Sequence, residues 1–355
     1  MKESNIVDTL IAEAEINNGI KIFTLENSNG MKLIVSNIGA AVVSLFVKDK
    51  YGIMQDVVLG YENSSDYLTD EFYLGTVVGR YANRIAGSKV VIDSKSYTLA
   101  TKNGDYHLHG GKEGFNKKFF EAFPFQNNLS KGVVFKYRSS HLEEGFPGNF
   151  DLEVTYTLDE ENAWTVEYNA VSDKNTLVNL TQHTYFNLSG NPSKKLNGHY
   201  LKLNSLYYLP VNDLQVPTGK LEDVKNTPFD FTELKLITKD ISEENEQLKL
   251  SNGYDHTFVL DNSNSKKLKL AATVKEESTS LMMNVFTTEP SVHLYTGNFL
   301  DKINGKNGQI YNKNAGFCLE TQHYPDAPNN PHFPSTILKA GEKFYSKTVF
   351  NFLIA

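Results

Sequence analysis

Apolar and polar side chains take turns one by one along much of this chain. In "AWTVEYNA" (163–170), Trp164, Val166 and Tyr168 alternate with Thr165, Glu167 and Asn169. Successive side chains of an extended chain point to opposite faces, so one face becomes apolar and the other polar. "GVVFKYRSS" (132–140), "DLEVTYTL" (151–158), "KLKLAATV" (267–274) and "SLMMNVFTT" (280–288) behave alike, and all favour β-branched and aromatic residues. Turn-forming stretches separate such runs: "NSNG" at 27–30, "SNG" at 251–253, "NGKNG" at 304–308. Helical spacing is scarce. "DISEENEQLKL" (240–250) predicts a short helix with Ser242 as a cap. The run 216–231, "VPTGKLEDVKNTPFDF", is polar with two prolines and reads as a long surface loop. These patterns predict an all-β protein, a large antiparallel β-sandwich with few short helices, and nothing divides the chain into two parts.

Residues 178–190, "VNLTQHTYFNLSG", contain no Lys, Arg, Asp or Glu. As a strand, Val178, Leu180, Gln182, Thr184, Phe186 and Leu188 form one face. Asn179, Thr181, His183, Tyr185, Asn187 and Ser189 form the other. An uncharged polar face suits a polar, uncharged ligand such as a polyhydroxyl sugar. The plainer reading is a buried polar network that supports the fold.

Four further stretches carry candidate chemistry. "GRYANRIAG" (79–87) offers Arg80 and Arg84 around Asn83, and a planar guanidinium grips paired oxygens. "YHLHGG" (106–111) places His107 and His109 on one face if it is a strand; the ligand count falls short of a metal site, and none is expected. "GYDHTFVL" (253–260) presents Asp255 and His256, as a hydroxyl acceptor or as a turn former. "GFCLETQHYPDAPNNP" (316–331) sets Glu320 in a nearly uncharged strand, with Cys318 and Gln322 on the same face. Prolines stiffen the loop after this strand, and a carboxylate on a rigid support suits a general base.

The bulk properties narrow the partners. A net charge of −7 disfavours nucleic acid and anionic membrane, which call for basic surfaces. No apolar run is long enough for a membrane span, and the N-terminus does not read as a signal peptide. Cys318 is the only cysteine, so no internal disulfide forms and a cytoplasmic location is the simplest reading.

"GRYANRIAG", "LHGG", "EEGFPGN", "NLTQHTYFNLSG", "YDHTF", "LYTGNF" and "ETQHYPDAPN" stand in the order seen in the aldose 1-epimerase (galactose mutarotase) family, which the chain resembles from about residue 20 to its C-terminus. The resemblance implies one domain over 1–355, a β-sandwich with a cleft on one sheet, and interconversion of α and β anomers of free hexoses such as galactose and glucose. It implies Glu320 as general base and His183 as general acid, with Asn83, Arg84, His109 and Asp255 positioning the sugar. Arg84 is thereby favoured over Arg80. Tyr185 and Gln322 are expected in the same cleft. His293 stands where the family commonly has glutamine, which bears on substrate preference. Neither cofactor nor metal is expected; the partner is a small sugar, and the chain is a monomer or homodimer.

The implied reaction starts from an ionised Glu320 and a protonated His183, helped by a nearby carboxylate. A glycosidase pairing Glu320 with Asp255 is the rival enzyme reading. A non-catalytic carbohydrate-binding protein is the rival from another class. A disaccharide or sugar phosphate could replace the free hexose.

Overall fold

The computed structural model describes residues 11–16, 19–101, 104–260 and 267–355. Most of the N-terminal stretch tested for a signal peptide lies outside them. All named strand pairings are antiparallel. Five strands from Ile11–Ile16 to Met54–Asp56 form an N-terminal sheet in sequential order. The largest sheet has nine strands, and the stretches of strict alternation supply its centre: Ser130–Ser139, Phe150–Asp159, Ala163–Ser172, Lys269–Glu276 and Leu281–Thr287. Lys343–Ile354 runs between Ala163–Ser172 and Leu281–Thr287.

A third sheet carries the candidate site. Its order is Glu222–Asp223, Ser205–Leu209, Asp255–Leu260, Ser291–Tyr295, Cys318–Gln322. One face of these strands, with Phe258, Val292, Leu294 and Leu319, joins the main core. Phe23, Leu33 and Val35 of the N-terminal sheet and Phe135, Trp164 and Val166 of the nine-stranded sheet enter the same core. Asp255, Thr257, His293, Tyr295, Cys318 and Glu320 therefore point to the opposite face. That face is not a free surface, and every one of these residues is buried.

Three expectations change. The short helix is Glu246–Ser251, and Asn245 caps it, its Oδ1 accepting from the Gln247 and Leu248 amides. Ser242 lies too far upstream, because the chain turns twice before its amides become helical. The run 216–231 is not a surface loop throughout: Val224, Phe229 and Phe231 are buried in the main core. Residues 178–190 are not one strand. Only Thr181–Gln182 pairs regularly, with Val77–Val78, and both faces of residues 178–189 are buried. No described helix is long and apolar enough to cross a membrane.

Trp164 is fully buried and stacks on Phe350 at 4.8 Å between ring centroids. Trp164→Ala is expected to cost roughly 3–5 kcal/mol in urea denaturation, the range for truncating a buried aromatic. A loss below about 1 kcal/mol would contradict this packing, since core truncations at sealed sites cost more.

Candidate active site

Register brings the site together. His293 stands opposite Glu320 and opposite Thr257, while Tyr295 stands opposite Asp255 and Cys318. Two rows of side chains thus cross three strands on one face. The segment around His183 lies against the outer strand: Thr181 Oγ1 donates to the Thr321 carbonyl at 3.0 Å, and Phe186 and Phe317 exchange backbone hydrogen bonds. His183 is held by its backbone, which accepts from the Gly75 amide and donates to the Thr76 carbonyl. Gly75 has φ +65°, and a Cβ there would sit 2.2 Å from the Val42 carbonyl oxygen, so the approach requires glycine. The resulting cleft has a volume of about 180 Å³, walled by Arg84, His109, His183, Asp255, His293 and Glu320.

Glu320 and His183 meet directly. Oε1 lies 3.6 Å from Nε2, and both residues are buried. Cys318, two residues before Glu320 on the same face, puts its Sγ 3.6 Å from His183 Nδ1. One strand therefore brackets the imidazole by both nitrogens. Burial pushes the Glu320 carboxyl well above the usual carboxylate range, and the Asp255 charge adds to this against Arg84. Burial pushes His183 down to about 4. Both shifts run against the expected ionised Glu320 and protonated His183: they favour a protonated carboxyl and a neutral imidazole. The reason is desolvation, which penalises both charged forms and outweighs the neighbouring carboxylate at His183.

Asp255 behaves oppositely. Burial alone would raise it, but the His293 hydrogen bond and the Arg84 charge hold it at about 2. His293 Nε2 donates to Asp255 Oδ1 at 2.6 Å, and its Nδ1 shares a hydrogen bond with Thr257 Oγ1 at 2.8 Å. Asn83 Nδ2 lies 3.5 Å from the same Nε2. Arg84 Nη2 lies 3.9 Å from Asp255 Oδ2 and donates to Gln215 Oε1 at 2.9 Å.

His109 Nδ1 accepts from the Asn83 amide at 3.2 Å. That fixes the ring proton on Nε2, which makes Nε2 a donor. The ligating atoms of His109, His183 and Glu320 all lie within 4.8 Å of one another. The His109 tautomer argues against that trio as a metal set, because a donating nitrogen has no lone pair to offer. His109 sits beyond the strand Tyr106–Leu108 with φ +48°, so it does not share a face with His107. His107 packs on Phe146 instead and bonds the Ala100 carbonyl. Gly110 allows this turn, since any Cβ there would collide with the Gly79 carbonyl.

Arg80 is absorbed by structure: it bonds Ser139, Ser140 and Pro147 and stacks over Phe150. The uncharged face of residues 178–190 is mostly structural too. Asn179 bonds the backbone of Ala82 and His323, Asn187 that of Lys195 and Ala315, and the Tyr185 hydroxyl the Phe72 carbonyl. Of that face, His183 and the Tyr185 ring reach the cleft. Gln322 does not line it. Sequence reasoning missed Thr257 and Tyr295 as partners; their i, i+2 spacing from Asp255 and His293 was the available signal, the same spacing that placed Cys318 on the Glu320 face. Tyr73, 4.7 Å from His109 between ring centroids, and Gln215 had none.

Residues 21–351 match the family described as Aldose 1-epimerase. The chain belongs to the aldose 1-epimerase family. It is 40% identical over 329 residues to a galactose mutarotase of Bos taurus, covering 92% of this chain and 93% of that one. It is 35% identical over 335 residues to an aldose 1-epimerase of Escherichia coli (strain K12), covering 94% and 95%. Its fold is similar to that of an aldose epimerase homologue from C. elegans, with TM-score 0.83 and 30% identity over 97% of this chain and 100% of that one. A galactose 1-epimerase from Lactobacillus acidophilus NCFM gives TM-score 0.84 at 29% identity, covering 97% and 98%. The sandwich inferred from alternation is thus the family's fold.

A raised pKa makes a pH-dependent cost. The unfolded chain releases the Glu320 proton near pH ~4.3 while the folded chain keeps it. Stability from this group is complete below that pH and is lost as pH rises toward the folded value. Glu320→Gln is therefore expected to be more stable than the parent at pH 8, by a larger margin than at pH 5, in urea denaturation. A margin that shrinks between these pH values would mean the carboxyl is already ionised in the fold.

Proposed function

We propose that this protein interconverts the α and β anomers of a free hexose such as galactose or glucose, using Glu320 and His183 as its proton-transfer pair. The observation that carries this reading is a carboxyl and an imidazole 3.6 Å apart in a buried cleft. Opening a pyranose needs one proton removed from the C1 hydroxyl and one delivered to the ring oxygen. A single buried pair with one proton can do both.

Sugar binding supplies the missing step. Hydroxyl hydrogen bonds favour the ionised carboxyl, so the shared proton passes to His183 Nε2. Glu320 then takes the proton of O1 as His183 gives its proton to O5. The C1–O5 bond breaks and C1=O1 forms. The aldehyde turns about C1–C2, and the two transfers run backwards on closure. No electron and no group leaves, so neither cofactor nor metal is called for. His109 Nε2–H and Asn83 serve as donors to hydroxyls, and Asp255 as an acceptor. His293 takes part by holding Asp255 and has its Nε2 beside Asn83. Tyr185 gives its ring as wall.

The two carboxyls are pushed in opposite directions, Asp255 down and Glu320 up, which is also what a glycosidase arranges. Release of reducing sugar from a glycoside would favour that second reading. A phosphorylated sugar is disfavoured, because among the described residues Arg84 is the one permanent cation lining the cleft and already has Gln215 and Asp255 as neighbours. A cytoplasmic site of action completes the proposal and leans on the single cysteine; action as a monomer or homodimer is part of the same proposal.

In polarimetry of freshly dissolved α-D-galactose, Glu320→Gln and His183→Asn are each expected to lower kcat by roughly 10²–10⁴-fold, the usual weight of a positioned acid or base. The final rotation and the circular dichroism of both variants should match the parent. Near-native turnover in both would remove the pair from the mechanism.

A further inference from the structure

Arg84 and Asp255 face each other across the cleft at 3.9 Å without closing into a hydrogen-bonded pair. A guanidinium beside a carboxylate ordinarily settles into two parallel hydrogen bonds at roughly 2.7–2.9 Å. Something holds this pair open, and both sides of the restraint are visible. On the acidic side, His293 occupies Asp255 Oδ1 at 2.6 Å. On the basic side, Gln215 Oε1 takes the Arg84 Nη2 proton at 2.9 Å.

Gln215 is built to do this. It sits at φ +57° in the loop after Ser205–Leu209. The Asn212 carbonyl accepts its amide at 2.7 Å, and Asn212 Oδ1 accepts the amides on either side of it, those of Leu214 and Val216. Its own Nε2 donates to the Leu250 carbonyl at 3.0 Å, within the helix Glu246–Ser251. Gln247 of that helix in turn bonds both the amide and the carbonyl of Val211. The Gln215 amide is thereby fixed at its donor end, so its oxygen has one direction to point. The Arg84 guanidinium also lies over the Tyr106 ring at 5.3 Å, and its Nε is buried with no hydrogen-bond partner. A donor is left unspent on the cation.

We propose that Gln215 is a positioning residue that holds the Arg84 guanidinium off Asp255, keeping both groups available to neighbouring hydroxyls of the sugar. A neutral amide suits this task. It orients the cation while leaving its charge uncancelled, so a hydroxyl can donate to Asp255 and accept from Arg84 at once. Without Gln215 the pair closes, and substrate must break it to bind. The effect falls on binding rather than on proton transfer, because neither Glu320 nor His183 touches Gln215.

The inference rests on the mutarotase reading, and the test separates the two. Parent, Gln215→Ala and Gln215→Glu are compared for KM and kcat on α-D-galactose by polarimetry, for galactose affinity by calorimetry, and for melting temperature. Gln215→Ala is expected to raise KM and weaken galactose affinity together, roughly three- to tenfold for one lost hydrogen bond, with kcat within about twofold. Gln215→Glu keeps an acceptor for Arg84 but cancels its charge and sets a carboxylate oxygen against the Leu250 carbonyl, so it is expected to weaken affinity at least as much as Gln215→Ala while kcat stays within about twofold. Unchanged affinity in Gln215→Ala overturns the proposal. So does a fall in kcat and melting temperature that Gln215→Glu shares, which would make Gln215 a packing residue. No acceleration by the parent protein would instead defeat the mutarotase reading.

Discussion

A carboxyl group buried away from bulk solvent governs this site. Glu320 is almost wholly buried, faces a histidine, and has one oxygen with no hydrogen-bond partner in the fold. A carboxylate there would lose its hydration and gain little in return, so the proton stays on. The same burial strips the charge from His183. Both shifts favour a neutral pair with one proton, which hydrogen bonds from a bound hydroxyl would shift toward the ionised carboxyl. The fixed anion, Asp255, is kept one row away, held there by the His293 hydrogen bond and the Arg84 charge.

That arrangement depends on the sheet. The outer face of three antiparallel strands would normally meet solvent, and a Glu there would be an ordinary surface charge. Segments from earlier in the chain than these strands convert it into a cleft. The segment carrying His183 seals the strand edge through Thr181 and Phe186, and the turn carrying His109 closes over it through Gly110. The cost of sealing polar loops against each other is met by the uncharged side chains of 178–190. Asn179, Thr181 and Asn187 satisfy buried backbone groups that lysine or glutamate could not satisfy without burying a charge.

The sequence was informative where periodicity decides structure and weak where long-range packing does. Alternation in 132–140, 151–158 and 163–170 located central strands of the nine-stranded sheet, since a half-buried strand leaves that pattern. Glu320 stood out because a lone charge in an aromatic strand is unusual. His107 and His109 misled, because a single left-handed residue at the strand end sent their side chains apart, and a non-glycine in that conformation gives no local signal. The polar face of 178–190 was read as ligand-facing, whereas most of it faces backbone. The direction of the Glu320 and His183 ionisations was equally illegible, since it depends on loops far along the chain that exclude water.

Isotope tracing at C1 tests the central claim most directly, that the pair moves protons and never breaks the bond between C1 and its exocyclic oxygen. Galactose is allowed to exchange anomers in water enriched in oxygen-18, with and without the protein, and the sugar is read by mass spectrometry. The account predicts fast anomer exchange with oxygen-18 entering C1 no faster than in the uncatalysed control. Incorporation that keeps pace with anomer exchange would mean that water attacks C1, and would give Glu320 and Asp255 the roles of a hydrolase.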